Sequence, residues 1–244
     1  MAAAFPPPGR AEHGSELAIL ADGVVEVVGR IARSSNATFV VEVTCGQTAV
    51  CAVYKPAAGE RPLWDFEPGL HRRELAAYRL SEWLGWGLVP PTVVRDDAPA
   101  GVGSLQLFVE GDHTEHYFTL LAEAPETHDM LRAIAVFDLV TNNTDRKGGH
   151  VLRGRDGRVW GIDHGLCFAA SEKLRTVIWD FAGEAVPGDL VDRIAPLAEQ
   201  VPPTVAELLD DAEVAALTRR VRRLLERPRF PADPTGRRIP WPLI

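Results

Sequence analysis

With 244 residues and 46% hydrophobic positions, the chain is long enough to bury one sizeable core or two closely packed lobes. A formal charge of -8 argues against a protein that coats nucleic acid, because neutralising phosphates requires a clustered basic surface. The three cysteines have no metal-ligand spacing, which supports neither a disulfide framework nor a zinc site.

Residues 1–16 contain neither a basic segment nor a continuous apolar run, so they predict a disordered start rather than a secretory signal. The sequence also lacks an apolar run of the roughly 18 residues that a transmembrane helix needs. We therefore expect a cytoplasmic monomer that has no transmembrane segment and makes at most peripheral membrane contact.

The first half of the chain predicts strands. β-Branched runs separated by short polar breaks indicate antiparallel strands over 24–32, 38–43 and 48–56. A helix is expected over 70–85, and the segments VPPTVV and LQLFVEG predict two more strands, the second ending in a turn at Gly111.

The second half is richer in helices. Helical periodicity over 130–143 precedes a glycine-rich turn and a strand at VWGIDHGLCF. A later helix begins with a capping box at Asp210 and Glu213, and its arginines 219, 220, 222 and 223 are interpreted as a solvated face. This order predicts an α+β protein with two lobes, and the hinge is expected near 108–113. The expected bounds are 17–110 for the N-lobe, 111–228 for the C-lobe and 229–244 for a C-terminal tail.

Several polar residues have the spacing of a phosphoryl-transfer site. Lys55 ends an apolar strand, and Glu74 shares a helical face with Leu70 and Tyr78, so Glu74 is expected to point inward and pair with Lys55. The alternatives are a surface lysine at a strand end and a glutamate among neighbouring arginines.

The segments NNTDRKGGH and IDHG hold the other candidates, which are Asp145, Arg146, His150 and Asp163. An aspartate at a strand end before a glycine is well placed to hold a metal ion beside phosphates, although Asn, Asp and Gly are also common in ordinary turns. Ser34, Ser35 and Asn36 join two strands and either cradle phosphates through backbone N–H groups or form an ordinary hairpin loop.

The segments VYKP, LVPPTVV, GSLQLFVEG, NNTDRKGGHVL and GIDHGLCF occur in this order over roughly 30–170. Together they resemble the phosphatidylinositol 3- and 4-kinase superfamily, in particular type II phosphatidylinositol 4-kinase-like proteins of a bacterial, actinobacterial type. The resemblance implies a compact protein-kinase-like fold that binds ATP and Mg²⁺ or Mn²⁺. Its product would be a phosphate ester of a hydroxyl acceptor. The acceptor could be an inositol lipid, a protein or a small molecule, and the residues do not distinguish among these.

The resemblance also implies roles for individual residues. Lys55 would contact the ATP phosphates, Glu74 would orient Lys55, and Ser34, Ser35 and Asn36 would form the loop that covers the phosphates. Phe108 and Val109 would lie in the hinge against adenine. The catalytic residues would be Asp145 and Arg146, and the metal ligands would be His150 and Asp163.

The sequence departs from the family at two informative places. His150 stands where the family has a metal-binding asparagine, and an imidazole is a softer ligand than magnesium prefers. The cysteine-rich membrane anchor of the type II enzymes is replaced by AAGERPLWDFEPGLHR. A lipid substrate would need an apolar and basic rim, for which Trp64 and Phe66, or Arg237, Arg238 and Trp241, are candidates. The alternative to a kinase is a nucleotide-binding pseudokinase that acts as an interaction module.

Overall fold

The computed structural model describes residues 14–31, 34 and 36–244. A five-stranded antiparallel sheet with the order β1-β2-β3-β5-β4 forms the first lobe. Its strands are β1 (Val24–Arg30), β2 (Phe39–Cys45), β3 (Thr48–Pro56), β4 (Thr92–Arg95) and β5 (Gly103–Leu107). β-Branched residues alternate across these strands, which places one set of side chains against a small core that includes Val41, Val43 and Leu105. The predicted meander of three strands at the front of the chain is confirmed, with boundaries shifted by up to two residues.

Two helices accompany this sheet. The first, α1 (Gly14–Asp22), was not predicted; it packs Ile19 and Leu20 into the core of the sheet. Residues 14–16 are therefore helical, and the disordered start expected from the sequence can concern only residues 1–13, which lie outside the described part of the chain. The second helix, α2 (Leu70–Trp83), ends two residues before the predicted end at Gly85.

The remaining chain forms a mainly helical lobe with a small antiparallel sheet at its edge. The helices are α3 (Tyr117–Glu123), α4 (His128–Thr141), α5 (Gly188–Ile194), α6 (Pro203–Ala206) and α7 (Asp211–Glu226). The sheet has the order β6-β7-β8, with β6 (Gly111–His116), β7 (Val151–Gly154) and β8 (Val159–Gly161). The predicted turn at Gly111 is wrong, because Gly111 begins β6 and its Cα lies against the backbone of β7, where a Cβ would meet the Arg153 carbonyl oxygen at 2.2 Å.

Helix α2 belongs to the core of the helical lobe as well as to the sheet. Its apolar residues, including Leu75 and Leu80, share one hydrophobic cluster with α4, α5 and α7. The guanidinium of Arg73 is buried and donates to Glu213 on α7 at 2.5 Å, and Arg79 donates to Glu207 at 2.5 Å. These contacts anchor α2 to the helical lobe, so they fix the position of any side chain that α2 presents to the sheet.

Helix α7 begins with the predicted capping box, in which Asp210 accepts from the Glu213 N–H and Glu213 accepts from the Asp210 N–H. The prediction of a solvated arginine face is wrong for Arg220, which donates to the carbonyl oxygens of Val140 and Ala169 at the end of α4 and beyond it. None of the helices in the described part of the chain has both the length and the apolar character that a bilayer-spanning segment requires.

Candidate active site

Lys55 and Glu74 meet where the sheet faces α2. Lys55 precedes the last residue of β3 and is held in register by its pairing with Ser104 on β5. Its Nζ donates to Glu74 Oε1 at 2.5 Å. Glu74 is buried, and its second oxygen accepts from the His164 N–H at 3.0 Å, so both carboxylate oxygens have partners. The inward direction predicted for Glu74 from helical periodicity is confirmed.

Asp163 is the second acceptor of Lys55. It follows β8, and its Oδ1 accepts from Lys55 Nζ at 2.8 Å. Its φ of 58° lies in the left-handed region, a conformation that a non-glycine residue adopts at some cost and that is frequent at functional sites. Burial would raise the pKa of Asp163, but the adjacent Lys55 ammonium outweighs this effect and holds the pKa well below its usual range. The carboxylate is therefore ionised at neutral pH.

The same contacts act on the lysine. Burial would lower the pKa of Lys55, but Asp163 and Glu74 together raise it above its usual value. Lys55 is thus a cation fixed between two carboxylates, at the boundary between the sheet and the helical lobe.

Asp145 lies in the loop that follows α4. The helix ends at Asn142, whose φ of 55° turns the chain, and the Asp145 N–H then donates to Asn143 Oδ1 at 3.0 Å. The Asp145 carboxylate is partly exposed in the cleft, 3.3 Å from Lys147 Nζ. Burial, and to a smaller extent the negative charge of Asp163, raise the pKa of Asp145, while Lys147 lowers it.

Arg146 turns away from the cleft and is fully buried. Its guanidinium donates to Asp138 through Nε and Nη2, to the carbonyl oxygens of His150 and Ile162 through Nη1, and lies 2.7 Å from His164 Nε2. These acceptors occupy its N–H groups, so none is left for a substrate. Arg146 connects the loop of Asp145 to the strand exit that carries Asp163.

His150 approaches both aspartates. Its Nδ1 lies 3.0 Å from the Asp145 carbonyl oxygen and 3.5 Å from the Lys147 backbone nitrogen. Since a carbonyl oxygen only accepts, the shorter contact requires the proton on Nδ1. Burial lowers the pKa of His150 to about 4, so the ring is neutral at pH 7 and Nε2 carries a lone pair. That lone pair lies 3.4 Å from Asp163 Oδ2.

Two electron-pair donors that face each other at this distance, without a proton between them, form the kind of donor set that a divalent cation bridges. No group of three or more His, Cys, Asp or Glu side chains arranged for a metal ion occurs within residues 14–31, 34 and 36–244. Two protein ligands nevertheless fit Mg²⁺ or Mn²⁺ beside a nucleotide, because Mg²⁺ is usually held by one or two side chains together with phosphates and water. The residues present therefore fit the metal that the sequence predicts.

The predicted phosphate-covering loop borders the same cleft. Ser34 and Asn36 line it together with Lys55, Asp145 and Asp163. Ser34 Oγ lies 2.7 Å from Thr38 Oγ1, and Asn36 Oδ1 accepts from the Arg61 N–H at 2.9 Å. Ser35 lies outside the described residues.

Glu60 and His71 also line this cleft and were not predicted from the sequence. Glu60 accepts from the backbone N–H groups of Gly69 and His71 and lies 3.0 Å from His71 Nδ1. Although burial opposes it, these hydrogen bonds lower the pKa of Glu60 to about 2. Glu60 thereby satisfies N–H groups at the start of α2, where no local capping residue does so.

The hinge predicted at Phe108 and Val109 joins β5 to β6. The Phe108 N–H donates to the Cys51 carbonyl oxygen at 2.9 Å, whereas the N–H of Val109 donates to no acceptor within the described residues. The contact of Val109 with adenine that the resemblance implies stays a prediction. Phe108 and Val109 do not line the small cleft around Lys55, whose volume is about 60 Å³.

The structure thus brings Lys55, Glu74, Asp145, His150 and Asp163 together between the lobes, and it places Arg146 behind them. A sheet lobe, a helical lobe and a lysine–glutamate pair between β3 and the following helix define a kinase-like fold. The chain belongs to the same family as Protein Rv2133c of Mycobacterium tuberculosis, to which it is 43% identical over an alignment of 264 residues. That alignment covers 93% of this chain and 95% of the mycobacterial protein.

Two further comparisons concern a part of the chain and the fold, respectively. Phosphatidylinositol 4-kinase gamma 4 of Arabidopsis thaliana is 33% identical over 133 residues, which span 44% of this chain and 23% of the plant protein. The solved structure of hydra Fam20 with sugar matches with a TM-score of 0.53 at 14% identity, over 88% of this chain and 89% of that chain, and this likeness concerns the fold alone. No protein-family model matches the chain. The comparisons support the kinase-like part of the predicted resemblance, but not membership of the phosphatidylinositol 3- and 4-kinase superfamily.

Proposed function

We propose that this protein is an ATP-dependent phosphotransferase of the phosphatidylinositol 3-/4-kinase-like type, which transfers the γ-phosphoryl group of ATP to a hydroxyl group. The observation that carries the proposal is the position of Lys55 between Glu74 and Asp163. A strand lysine held by a helix glutamate, beside an aspartate at a strand exit, is the arrangement that phosphoryl-transfer enzymes with this fold use to hold ATP.

Each residue of the cleft then has a role. Lys55 would bind ATP phosphate oxygens, and Glu74 would keep its ammonium in place. Ser34 and Asn36 lie over the phosphates, and Val109 offers its N–H to adenine. We also propose that Arg146 has a positioning role, because its donors all bind protein acceptors.

The acceptor hydroxyl would lie against Asp145. The raised pKa of Asp145, caused first by burial, makes its carboxylate a better proton acceptor than an exposed aspartate. His150 Nε2 and Asp163 Oδ2 would hold Mg²⁺ or Mn²⁺, which when bound neutralises charge on the phosphate oxygens. The acceptor oxygen bonds to the γ-phosphorus as the bond to the β,γ-bridging oxygen breaks and ADP leaves, while Asp145 accepts the hydroxyl proton and Lys55 remains on the phosphates.

Two observations bear on the choice among acceptors. The similarity to a plant phosphatidylinositol 4-kinase over 44% of the chain favours an inositol lipid. The side chains of Trp64 and Trp241 are 94% and 84% exposed, and apolar surface of this kind suits contact with a lipid interface. The two other acceptor classes are protein hydroxyl groups and small molecules.

The test is ATP binding by thermal shift, with Mg²⁺, with Mn²⁺ and without metal, because a ligand that binds the folded state raises its apparent stability. We expect a metal-dependent shift in the wild type that is lost in Lys55→Met and in Asp163→Ala. Asp129→Ala, at an exposed position of α4, serves as the control and should keep the full shift. Unchanged shifts in both cleft variants would contradict the proposal. Transfer is then measured with labelled ATP and phosphatidylinositol vesicles, and Asp145→Asn should bind ATP without transferring phosphate.

One observation favours a second candidate, an interaction module that has the shape of a kinase but does not bind nucleotide, unlike the nucleotide-binding pseudokinase considered from the sequence. The cleft of about 60 Å³ is far smaller than the roughly 300 Å³ at which ligand pockets begin, so ATP can bind only if the cleft widens. No thermal shift with ATP under any metal condition, in a folded wild-type protein, would favour this second function.

A further inference from the structure

A second cavity lies in the helical lobe and does not include the cleft residues. Its volume is about 670 Å³, within the usual range for small-molecule sites. It lies between the segment that follows Asp163, the C-terminal half of α7 and the chain beyond α7. Eight of its seventeen lining residues are basic and one, Glu172, is acidic. The basic residues are Lys173, Arg175, Arg220, Arg223, Arg227, Arg229, Arg237 and Arg238.

This concentration of positive charge is unusual for a chain with 34 acidic and 26 basic residues. Several of the basic groups have partners of their own: Arg223 pairs with Glu172, Lys173 donates to the Asp65 carbonyl oxygen at 2.6 Å, and Arg229 donates to the Gly183 carbonyl oxygen at 2.8 Å. By contrast, the side chains of Arg175, Arg227 and Arg237 have no hydrogen bond or ion pair within the described part of the chain. These three exposed guanidinium groups are therefore available to a bound anion.

Arg220 provides a second and independent observation. Its Nε and Nη1 donate to the carbonyl oxygens of Val140 and Ala169, but its Nη2 is buried without an acceptor among the described residues. No carboxylate pairs with this guanidinium in the described structure, and burial lowers its pKa to about 10. A partly buried guanidinium with an unpaired Nη2 costs free energy that an anion in the adjoining cavity would reduce.

The side chains also indicate the kind of anion. Seven of the eight basic residues are arginines, whose planar guanidinium binds phosphate with two parallel hydrogen bonds. Apolar residues line the cavity between them, namely Leu139, Leu174, Leu224, Phe230, Pro231 and Ala232. Such a lining suits a ligand with an apolar or ring-containing body.

We infer that this basic cavity is a binding site for a molecule that carries two or more phosphate groups on an organic body. The site is separate from the cleft of Lys55, and its occupation does not depend on the phosphotransferase activity proposed above. The phosphates would bind Arg175, Arg227 and Arg237 at the mouth, and the organic body would contact Leu224 and Phe230. The ligand is either a soluble phosphorylated compound or a lipid headgroup, which share this chemistry.

The first test is isothermal titration of the full chain with inorganic tripolyphosphate. We expect binding that is equal in the wild type and in Lys55→Met, and that is at least about tenfold weaker in the double variant Arg227→Gln/Arg237→Gln, because charge-assisted hydrogen bonds are lost. The matched control is Arg30→Gln/Arg155→Gln, which removes the same charge from exposed positions outside the cavity. It should keep binding within about twofold, since distant surface charges are largely screened.

The outcomes separate the site from its alternatives. No binding to the wild type, loss of binding in Lys55→Met, or equal losses in the cavity and control variants would each overturn the inference. Flotation with phosphatidylcholine vesicles that carry phosphatidic acid identifies the source. Co-flotation that the double cavity variant abolishes supports a lipid headgroup, and tripolyphosphate binding without co-flotation supports a soluble ligand. Because tripolyphosphate binding is measured without ATP, failure of the phosphotransferase proposal leaves this result interpretable.

Discussion

The buried ion pair between Asp138 and Arg146 is expected to control both stability and the geometry of the site. The side chains of Arg146 and Asp138 are 0% and 1% exposed. Asp138 accepts from Arg146 at 2.9 Å and 3.0 Å and from Asn143 Nδ2 at 3.0 Å. The substitution Asp138→Asn keeps the shape of the side chain but leaves the guanidinium without its counter-charge.

Removing one partner of a buried pair costs about 3–5 kcal/mol, because the other charge remains buried. Asparagine retains one acceptor oxygen, so we expect a loss of about 3 kcal/mol in the free energy of unfolding. For a chain of this length each kcal/mol lowers the Tm by about 2–4 °C, which gives a decrease of about 6–12 °C. Urea unfolding and calorimetry at pH 7 measure both quantities.

The matched control is Asp129→Asn on the same helix. Asp129 is 71% exposed and lies 3.5 Å from Arg132, so its loss should cost less than about 0.5 kcal/mol. If Asp138→Asn costs no more than Asp129→Asn, the pair does not hold the loop of Asp145, and the positioning role proposed for Arg146 is wrong.

Two other predictions concern the cleft. In His150→Asn a harder oxygen ligand replaces the imidazole, so the Mg²⁺ concentration that half-saturates the ATP thermal shift should fall relative to that of Mn²⁺; identical titrations of the two forms would remove His150 from the metal site. Glu60 has a pKa of about 2 in the folded protein, below the usual 4.5, so its stabilisation is present above pH 4.5 and is lost as the pH falls toward 2. Urea unfolding between these pH values should show that the wild type loses roughly 2–3 kcal/mol more than Glu60→Gln, which retains the contribution of the other carboxylates; parallel curves would contradict the assignment.

Local patterns in the sequence were sufficient to predict the strand and the helix that carry Lys55 and Glu74. The apolar run of β3 identified the strand that ends near Lys55, and helical spacing placed Glu74 on the buried face of α2. The capping box of α7 was also predicted from the sequence, because it depends on residues three positions apart. The segments of NNTDRKGGH and IDHG identified Asp145, His150 and Asp163 as candidates, and the structure places all three beside one cleft.

Other features depend on residues that are far apart in the chain. The hydrogen bonds of Glu60 to the start of α2, and of Arg146 to Ile162 and His164, involve partners that no periodic pattern relates. Arg220 has the sequence context of a solvated arginine, and only the packing of α7 against the end of α4 buries it.

By itself the sequence determined the strands β1 to β3, the helices α2, α4 and α7, the net negative charge and the candidates Lys55, Glu74, Asp145 and Asp163, since these depend on propensity and spacing over a few residues. The tertiary structure decided which charges meet. It set the direction of Arg146 away from the cleft, the tautomer of His150 and the gathering of eight basic residues around one cavity. The physical reason is that burial and charge pairing act through space, between segments that the chain brings together only when it folds.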